Sequence, residues 1–396
     1  MKKNILFVID SLDVAGAEKS LVTLLSMLDF EKYAVDLMLF GHGGPLEKVV
    51  PEQVKILKPL KYTSYAALTV KESLRYSIKK NEYKMFFSRM KYSAKIRQRN
   101  YSNPQKARIF WESVANVIEY NPKTYDVAIS YAQGVPTFYV AEKVKAKKKF
   151  AWVNVSYRLD ENEKKFHSRF YNQYEKIIAV SDSTKDIFLE SFPCYSDKMK
   201  VIYDINNPEF IEKMSFIGNS YDDQFNGIKL LTIGRLAHQK GYDIALEACK
   251  KLKKNGVNFR WYVLGKGPLK GEIEQFIKEH KLEDCFILLG VHANPYPFIK
   301  DADIYVQTSR FEGFGLAIAE ARMLNVPVVT TRFDAVYNQM IEGANGLVVD
   351  MNAEAVYRGI TEIINNEELR DNIIDYLKIE KKGNVEEIEK VLQLIQ

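Results

Sequence analysis

At 396 residues the chain is too long for one ordinary hydrophobic core, and its 46% apolar and 27% charged content is that of a soluble globular protein of two domains. No segment approaches the roughly 18 apolar residues of a membrane span, and the formal net charge of +6 is modest overall. Cys194, Cys249 and Cys285 are odd in number and far apart, with no zinc spacing, which argues against a disulfide framework and for a reducing, cytoplasmic compartment.

Met1-Lys-Lys-Asn followed by Ile5 to Ile9 has the basic start of a signal peptide, but the apolar run stops at Asp10 and reads as a first β-strand. Further strands are expected at 35–40, 54–57, 127–131, 150–155, 177–180 and 201–203, with helix-length amphipathic segments between them. A basic helical insertion interrupts this series at 66–118. Between Lys71 and Arg108 its cations are opposed only by Glu72 and Glu82, and they interleave with Tyr76, Tyr83, Phe86, Phe87, Tyr92 and Tyr101. Cationic helices with aromatic anchors suit an anionic membrane surface through 68–108. No nucleic-acid-binding motif accompanies the charge, so nucleic acid is not expected as a partner, and a plain solvated face is the simpler alternative.

Residues 206–227 are polar and rich in turn formers, so they read as an interdomain linker. The strand pattern restarts at 228–233, 261–264, 286–289, 304–307, 326–330 and 346–349. Lys381-Lys-Gly-Asn then sets off a last amphipathic helix, 385–395, expected to pack back on the first domain. The domains are therefore expected at 1–205 and 228–380, with 381–396 as the returning segment. Apolar β-branched runs alternating with helices predict an α/β chain of two tandem Rossmann-like, doubly wound domains.

Such sheets bind ligands at the carboxyl ends of their strands, where helix N-termini offer free amides. Gly16 lies in the turn after the first strand, although a plain strand-to-helix turn explains one glycine equally well. Arg235 and Lys240 follow the strand 228–233, where cations neutralise a diphosphate, and Gly265 and Gly267 form a second turn after the next strand. Gly313 and Gly315 leave amides open in Glu312-Gly-Phe-Gly-Leu316. Glu312 and Glu320, eight residues apart, are expected to be displaced by about 12 Å, two turns along a helix axis. That is too far for an acid and base acting on one bond, at most about 9.5 Å apart, and suits two ends of an extended ligand.

Gly-Arg-Leu with Lys240, the Leu264-Gly-Lys-Gly turn and Glu-x7-Glu together resemble the retaining glycosyltransferases of family four, over nearly the whole chain. The resemblance implies the GT-B architecture, two Rossmann-like domains facing a cleft. Asn294-Pro-Tyr-Pro with Ser309-Arg-Phe-Glu-Gly is similar to enzymes of bacterial capsule, exopolysaccharide and lipopolysaccharide assembly. It implies that Arg235 and Lys240 hold the donor diphosphate, that Glu312 contacts the transferred sugar and that Glu320 holds the ribose. Backbone amides from Phe314 to Leu316 would bind phosphates and sugar, the backbone at Val291 and His292 would read the base, and Gly16 would approach the diphosphate from across the cleft. Similar proteins often carry a histidine where Asn154 stands; asparagine can bond a sugar but cannot shuttle a proton.

The resemblance further implies a UDP-sugar donor, a lipid-linked or polysaccharide acceptor, retention of configuration, no metal or other cofactor, and a peripheral place at the inner face of the cell membrane. Asp301-Ala-Asp303 precedes a strand, at the wrong end for a ligand crevice, so capping is expected of it rather than metal binding. A nicotinamide-dependent oxidoreductase would need GxGxxG after the first strand, which is missing. A catalytically weak subunit that binds a partner transferase is the remaining alternative.

Overall fold

The computed structural model describes residues 2–13, 16–154, 159–312, 315–334 and 336–396. Val155, Gly313 and Phe314 lie outside them. The chain divides into two compact units, Met1–Ile205 with Glu386–Gln396, and Asn206–Val385.

The first unit holds a seven-stranded parallel sheet of β1 (Lys3–Ile9), β2 (Tyr33–Leu39), β3 (Lys55–Ile56), β4 (Thr124–Ser130), β5 (Lys145–Val153), β6 (Lys176–Ala179) and β7 (Met199–Val201). Its strand order is β3-β2-β1-β4-β5-β6-β7. The second unit holds β8 (Ile228–Ile233), β9 (Phe259–Leu264), β10 (Phe286–Gly290), β11 (Ile304–Gln307), β12 (Val328–Thr331) and β13 (Gly346–Val349), in the order β10-β9-β8-β11-β12-β13. The expected strands are all present because central strands of a parallel sheet bury both faces and read as apolar runs, as in Ile5 to Ile9, at most 1% exposed. β5 starts at Lys145, earlier than its apolar run, because its first half alternates with solvent-facing lysines.

Residues 206–227 are not a bare linker. Pro208–Ser215 is a helix whose N-cap Asn207 accepts from the Phe210 N–H at 3.2 Å. Asn294 ties it to the second unit by donating to the Met214 and Ile217 carbonyls, each at 2.7 Å. Asn-Pro signals a turn in one context and a helix start in another, and here packing selects the helix. The last helix, Glu387–Ile395, groups with the first unit: the Tyr203 N–H donates to Glu387 Oε2 at 3.1 Å, and Val391 and Ile395 are fully buried.

The basic insertion folds as helices Lys61–Ala66, Val70–Lys80, Tyr83–Ile96 and Asn103–Val114. Two of its cations are structural. Arg89 donates to the Leu68 carbonyl at 2.6 Å, and Arg108 pairs with the buried Glu163 at 2.6 Å. Three expected anchors face inward: Tyr76 packs edge-on against Tyr65 at 5.5 Å, Tyr92 against Phe110 at 5.4 Å, and Phe86 packs on the core.

Candidate active site

In the second sheet the strand order reverses between β8 and β11, so the turns after these neighbouring strands open outward together, the usual place for a ligand in such a sheet. The turn after β9 is stacked on the turn after β8. The Leu236 N–H donates to the Lys266 carbonyl at 3.1 Å, and a Cβ on Gly265 would sit 2.0 Å from the Gly234 oxygen. A Cβ on Gly267 would lie 2.3 Å from the Leu236 oxygen. Both glycines are therefore required by backbone-to-backbone approach, whatever else they contact.

The short turn His238–Lys240 is fastened to the loop after β11. Gly241, at φ +63°, lies so close to that loop that a Cβ would be 2.0 Å from the Thr308 oxygen. Thr308 Oγ1 donates to the Lys240 carbonyl at 2.9 Å, the Arg310 N–H to the Gln239 carbonyl at 2.8 Å, and the Arg310 guanidinium holds Asp243 at 2.7 Å. This lashing brings Lys240 Nζ to 2.5 Å from Glu312 Oε1, the two side chains being 18% and 10% exposed. The same oxygen accepts from Ser309 Oγ at 2.5 Å and Gln307 Nε2 at 2.9 Å. Lys240 and Glu312, expected to hold different parts of a donor, are thus bonded to each other. An ammonium has three protons, so Lys240 keeps two for a phosphate. The Arg235 side chain is exposed and makes no hydrogen bond or ion pair with a described residue.

Gly315, at φ +85°, starts the helix Leu316–Met323 and accepts from Gln339 Nε2 at 3.2 Å. Only Glu320 lies in that helix; Glu312 precedes it, so helical spacing does not set the distance between the carboxylates. Glu320 is 3% exposed and accepts from the hydroxyl of Tyr296, the tyrosine of Asn294-Pro-Tyr-Pro, at 3.2 Å. Burial, with the adjacent Glu320 carboxylate, holds the Tyr296 phenol far above its usual range, so it stays a donor. His292 follows β10, contacts the Leu289 carbonyl at 3.2 Å and packs edge-on against Phe298. Beside it Val291 is 41% exposed and offers an apolar surface.

In the first unit Gly16 opens the helix Gly16–Ser26 after β1. Asn154, just past β5, donates to the Tyr131 carbonyl at 2.6 Å, while its buried Oδ1 has no described partner. Tyr131 stacks on Trp152, and its hydroxyl meets Ser20 Oγ at 2.9 Å, which in turn donates to Asp204 at 2.7 Å. Asp10, at the end of β1, is reached by solvent yet crowded by protein, and is pushed up to about 7 by burial and then by the Glu18 carboxylate. None of Asp10, Ser20, Tyr131 and Asp204 carries a motif; for Asp10, Tyr131 and Asp204, position just past a strand was the one available signal, and Ser20, inside the first helix, offered none.

Burial pushes Asp204 from 3.8 up to about 6, against the opposing hydrogen bond from Ser20. A carboxyl raised in the folded state supports folding below pH about 4 and loses that support as pH rises through about 6. Asp204→Asn should therefore gain on the parent between these pH values, by at most about 3 kcal/mol. Urea-unfolding midpoints of both proteins from pH 4 to pH 7 check this, and parallel pH curves would refute it.

Asp301 and Asp303 act as caps and braces: Asp303 accepts from the Lys229 N–H at 2.7 Å, and Asp301 from the Ser220 hydroxyl at 2.5 Å.

Residues 216–379 match the family described as Glycosyl transferases group 1. The chain is 25% identical over 205 residues to the N-acetylgalactosamine-N,N'-diacetylbacillosaminyl-diphospho-undecaprenol 4-alpha-N-acetylgalactosaminyltransferase of Campylobacter jejuni, covering 51% of this chain and 54% of the relative. It is 26% identical over 207 residues to the capsular polysaccharide biosynthesis glycosyltransferase CapM of Staphylococcus aureus, covering 50% and 54%. The chain thus spans about half the length of the curated relatives it matches. Among solved structures, Anabaena Alr3699/HepE in complex with UDP and glucose superposes with a TM-score of 0.66 at 17% identity, over 99% of this chain and 98% of that one. This likeness shows the fold, the tandem Rossmann-like GT-B type.

Proposed function

We propose, from the match of residues 216–379 to the group 1 glycosyl transferases, that this chain moves a sugar from a nucleotide diphosphate donor, with UDP as the preferred nucleotide, to a lipid-linked or polysaccharide acceptor. The observation that carries the reading is the Lys240–Glu312 pair at the switch between β8 and β11, with Arg235 in the turn that follows β8. Arg235 and the two remaining protons of Lys240 hold the diphosphate, and Glu312 Oε2 accepts from a hydroxyl of the sugar. Glu320 holds the ribose and His292 with Val291 flanks the base. Gly315 and Leu316 supply amides at the start of their helix, and Gly265 and Gly267 line the donor path. Asn154 contributes its amide to the sugar or acceptor.

Transfer then proceeds with retention, the acceptor hydroxyl attacking on the face the phosphate leaves. The departing phosphate takes the proton, and cations and amides stabilise the developing charge in place of a metal. The test is a panel of UDP-glucose, UDP-galactose, their N-acetyl forms and GDP-mannose, assayed for hydrolysis and transfer with and without EDTA. Turnover of one donor, undiminished by EDTA, is expected. Failure with all of them would favour the partner-binding subunit, and loss in EDTA restored by magnesium would return attention to Asp301 and Asp303.

The acceptor reading draws on the undecaprenol-linked substrate in the Campylobacter relative's name and on the surface of the insertion. Val70, Leu74 and Ile78 are 57%, 43% and 59% exposed and recur every four residues, forming one apolar stripe. Lys71, Arg75 and Lys79, one position later, run beside it and are exposed. The next helix repeats the arrangement with Tyr83, Phe87 and Met90, edged by Lys84 and Lys91. An apolar stripe bordered by cations fits the headgroup boundary of an anionic bilayer. At about 1 kcal/mol per engaged cation, four suffice to hold the protein at low salt. Lys71, Lys79, Lys84 and Lys91 changed together to Gln, sparing the structural Arg89, should abolish cosedimentation with phosphatidylglycerol vesicles, and Phe87→Ser should weaken it. Equal binding to phosphatidylcholine vesicles, or none to either, would leave a soluble acceptor.

A further inference from the structure

We infer that Gln307, braced by Tyr305, is a positioning residue that aims the Glu312 carboxylate; this rests on the reading of Glu312 as the contact to the transferred sugar. β11 runs Ile-Tyr-Val-Gln between β8 and β12, and its closing amide is only 2% exposed. An apolar residue would pack there without a polar group to satisfy, and a buried amide is costly unless its atoms are bonded. Both ends of this one are: Oε1 accepts from the Tyr305 hydroxyl at 2.7 Å, and Nε2 donates to Glu312 Oε1 at 2.9 Å. A carboxylate can only accept, so the amide has one workable orientation. Tyr305 is fully buried, and its oxygen lies 3.4 Å from the Ile233 N–H, directly before Gly234 and Arg235. The relay therefore joins the turn that carries Arg235 to the loop that carries Glu312.

Three donors, from Lys240, Ser309 and Gln307, converge on Glu312 Oε1, and no described residue bonds Oε2. That division leaves Oε2 for a ligand hydroxyl. Lys240 divides its ammonium protons between this carboxylate and a diphosphate. Gln307 and Ser309 are the neutral donors that hold Oε1 in place: the Gln307 side chain is braced from behind by the Tyr305 hydroxyl at 2.7 Å, whereas Ser309 is held through its backbone, its carbonyl accepting from Thr331 Oγ1 at 2.6 Å.

The test uses the full chain. Gln307→Leu should leave UDP affinity within about twofold by calorimetry and lower kcat roughly ten- to a hundredfold on the donor selected from the panel, the range expected when a contact is misplaced by about 1 Å. Gln307→Glu, nearly the same shape, must keep a proton to donate to Glu312, so its kcat should recover as pH falls, with an acid limb that the parent lacks. Parent kcat in Gln307→Leu, or a parent pH profile in Gln307→Glu, overturns the inference. If Gln307→Leu does not fold, Gln307→Glu decides alone. A parent that turns over no donor and binds no UDP defeats the function reading instead; the orientation of Glu312 in crystals of the parent and of Gln307→Leu then decides the relay, and an unmoved carboxylate overturns it.

Discussion

Arg235→Ala and Lys240→Ala each lower turnover of the nucleotide sugar by roughly ten- to a thousandfold, because a charge-assisted contact is worth about 1.5 to 3 kcal/mol and developing charge in the transition state raises that. The two variants differ in a second respect. The Arg235 side chain is exposed and makes no bond with a described residue, so its truncation spares folding and the melting temperature stays at the parent's value. Lys240 lies part-buried against Glu312, at 2.5 Å. Removing it leaves that carboxylate with only Ser309 and Gln307 as donors, and opens space beside Gly234, where the Lys240 stem now lies. Lys240→Ala should therefore also melt earlier. Steady-state kinetics with thermal melts check both, and near-parent rates in the two variants together would remove the diphosphate clamp.

Glu312→Gln lowers kcat about a hundredfold while the protein melts close to the parent, in contrast to Lys240→Ala. The glutamine carbonyl can take the place of Oε1 and accept from Lys240, Ser309 and Gln307, so the local network survives. Its NH2 then occupies the place of Oε2 and meets a sugar hydroxyl as a donor, with the negative charge gone. The effect should fall on kcat more than on UDP affinity. Glu320→Gln does the reverse: it still accepts from Tyr296 but loses its charge toward the nucleotide, so UDP affinity falls first. Comparison of kcat, KM and UDP calorimetry for the two variants checks this division. A Glu312→Gln protein with parent kcat would take Glu312 out of the sugar contact.

Both sheets were legible because parallel strands buried on both faces leave a local, apolar trace, and candidate site residues were legible because Gly, Arg, Lys and Glu just after such strands are what a phosphate site would need. Arg235, Lys240, Glu312 and Glu320 stand out for that reason. Local signals misled where one residue type serves two purposes. Asn207-Pro208 reads as a turn and proves to be a helix start; Gly265 and Gly267, expected in a ligand turn, have a structural duty as well, set by the Gly234 and Leu236 carbonyls.

What the amino-acid sequence determined by itself was the periodicity, and hence the sheets, their connections and the strand ends where chemistry collects. Only the tertiary structure decided which charges are committed to each other. Lys240 and Glu312 are 72 residues apart in the chain, and Arg108 meets Glu163 across 55. Gln307 looks like the end of a strand until its two partners are in place. Periodicity is a property of neighbours along the chain. A hydrogen bond or ion pair between distant segments depends on how the elements pack, and no spacing in the sequence records it.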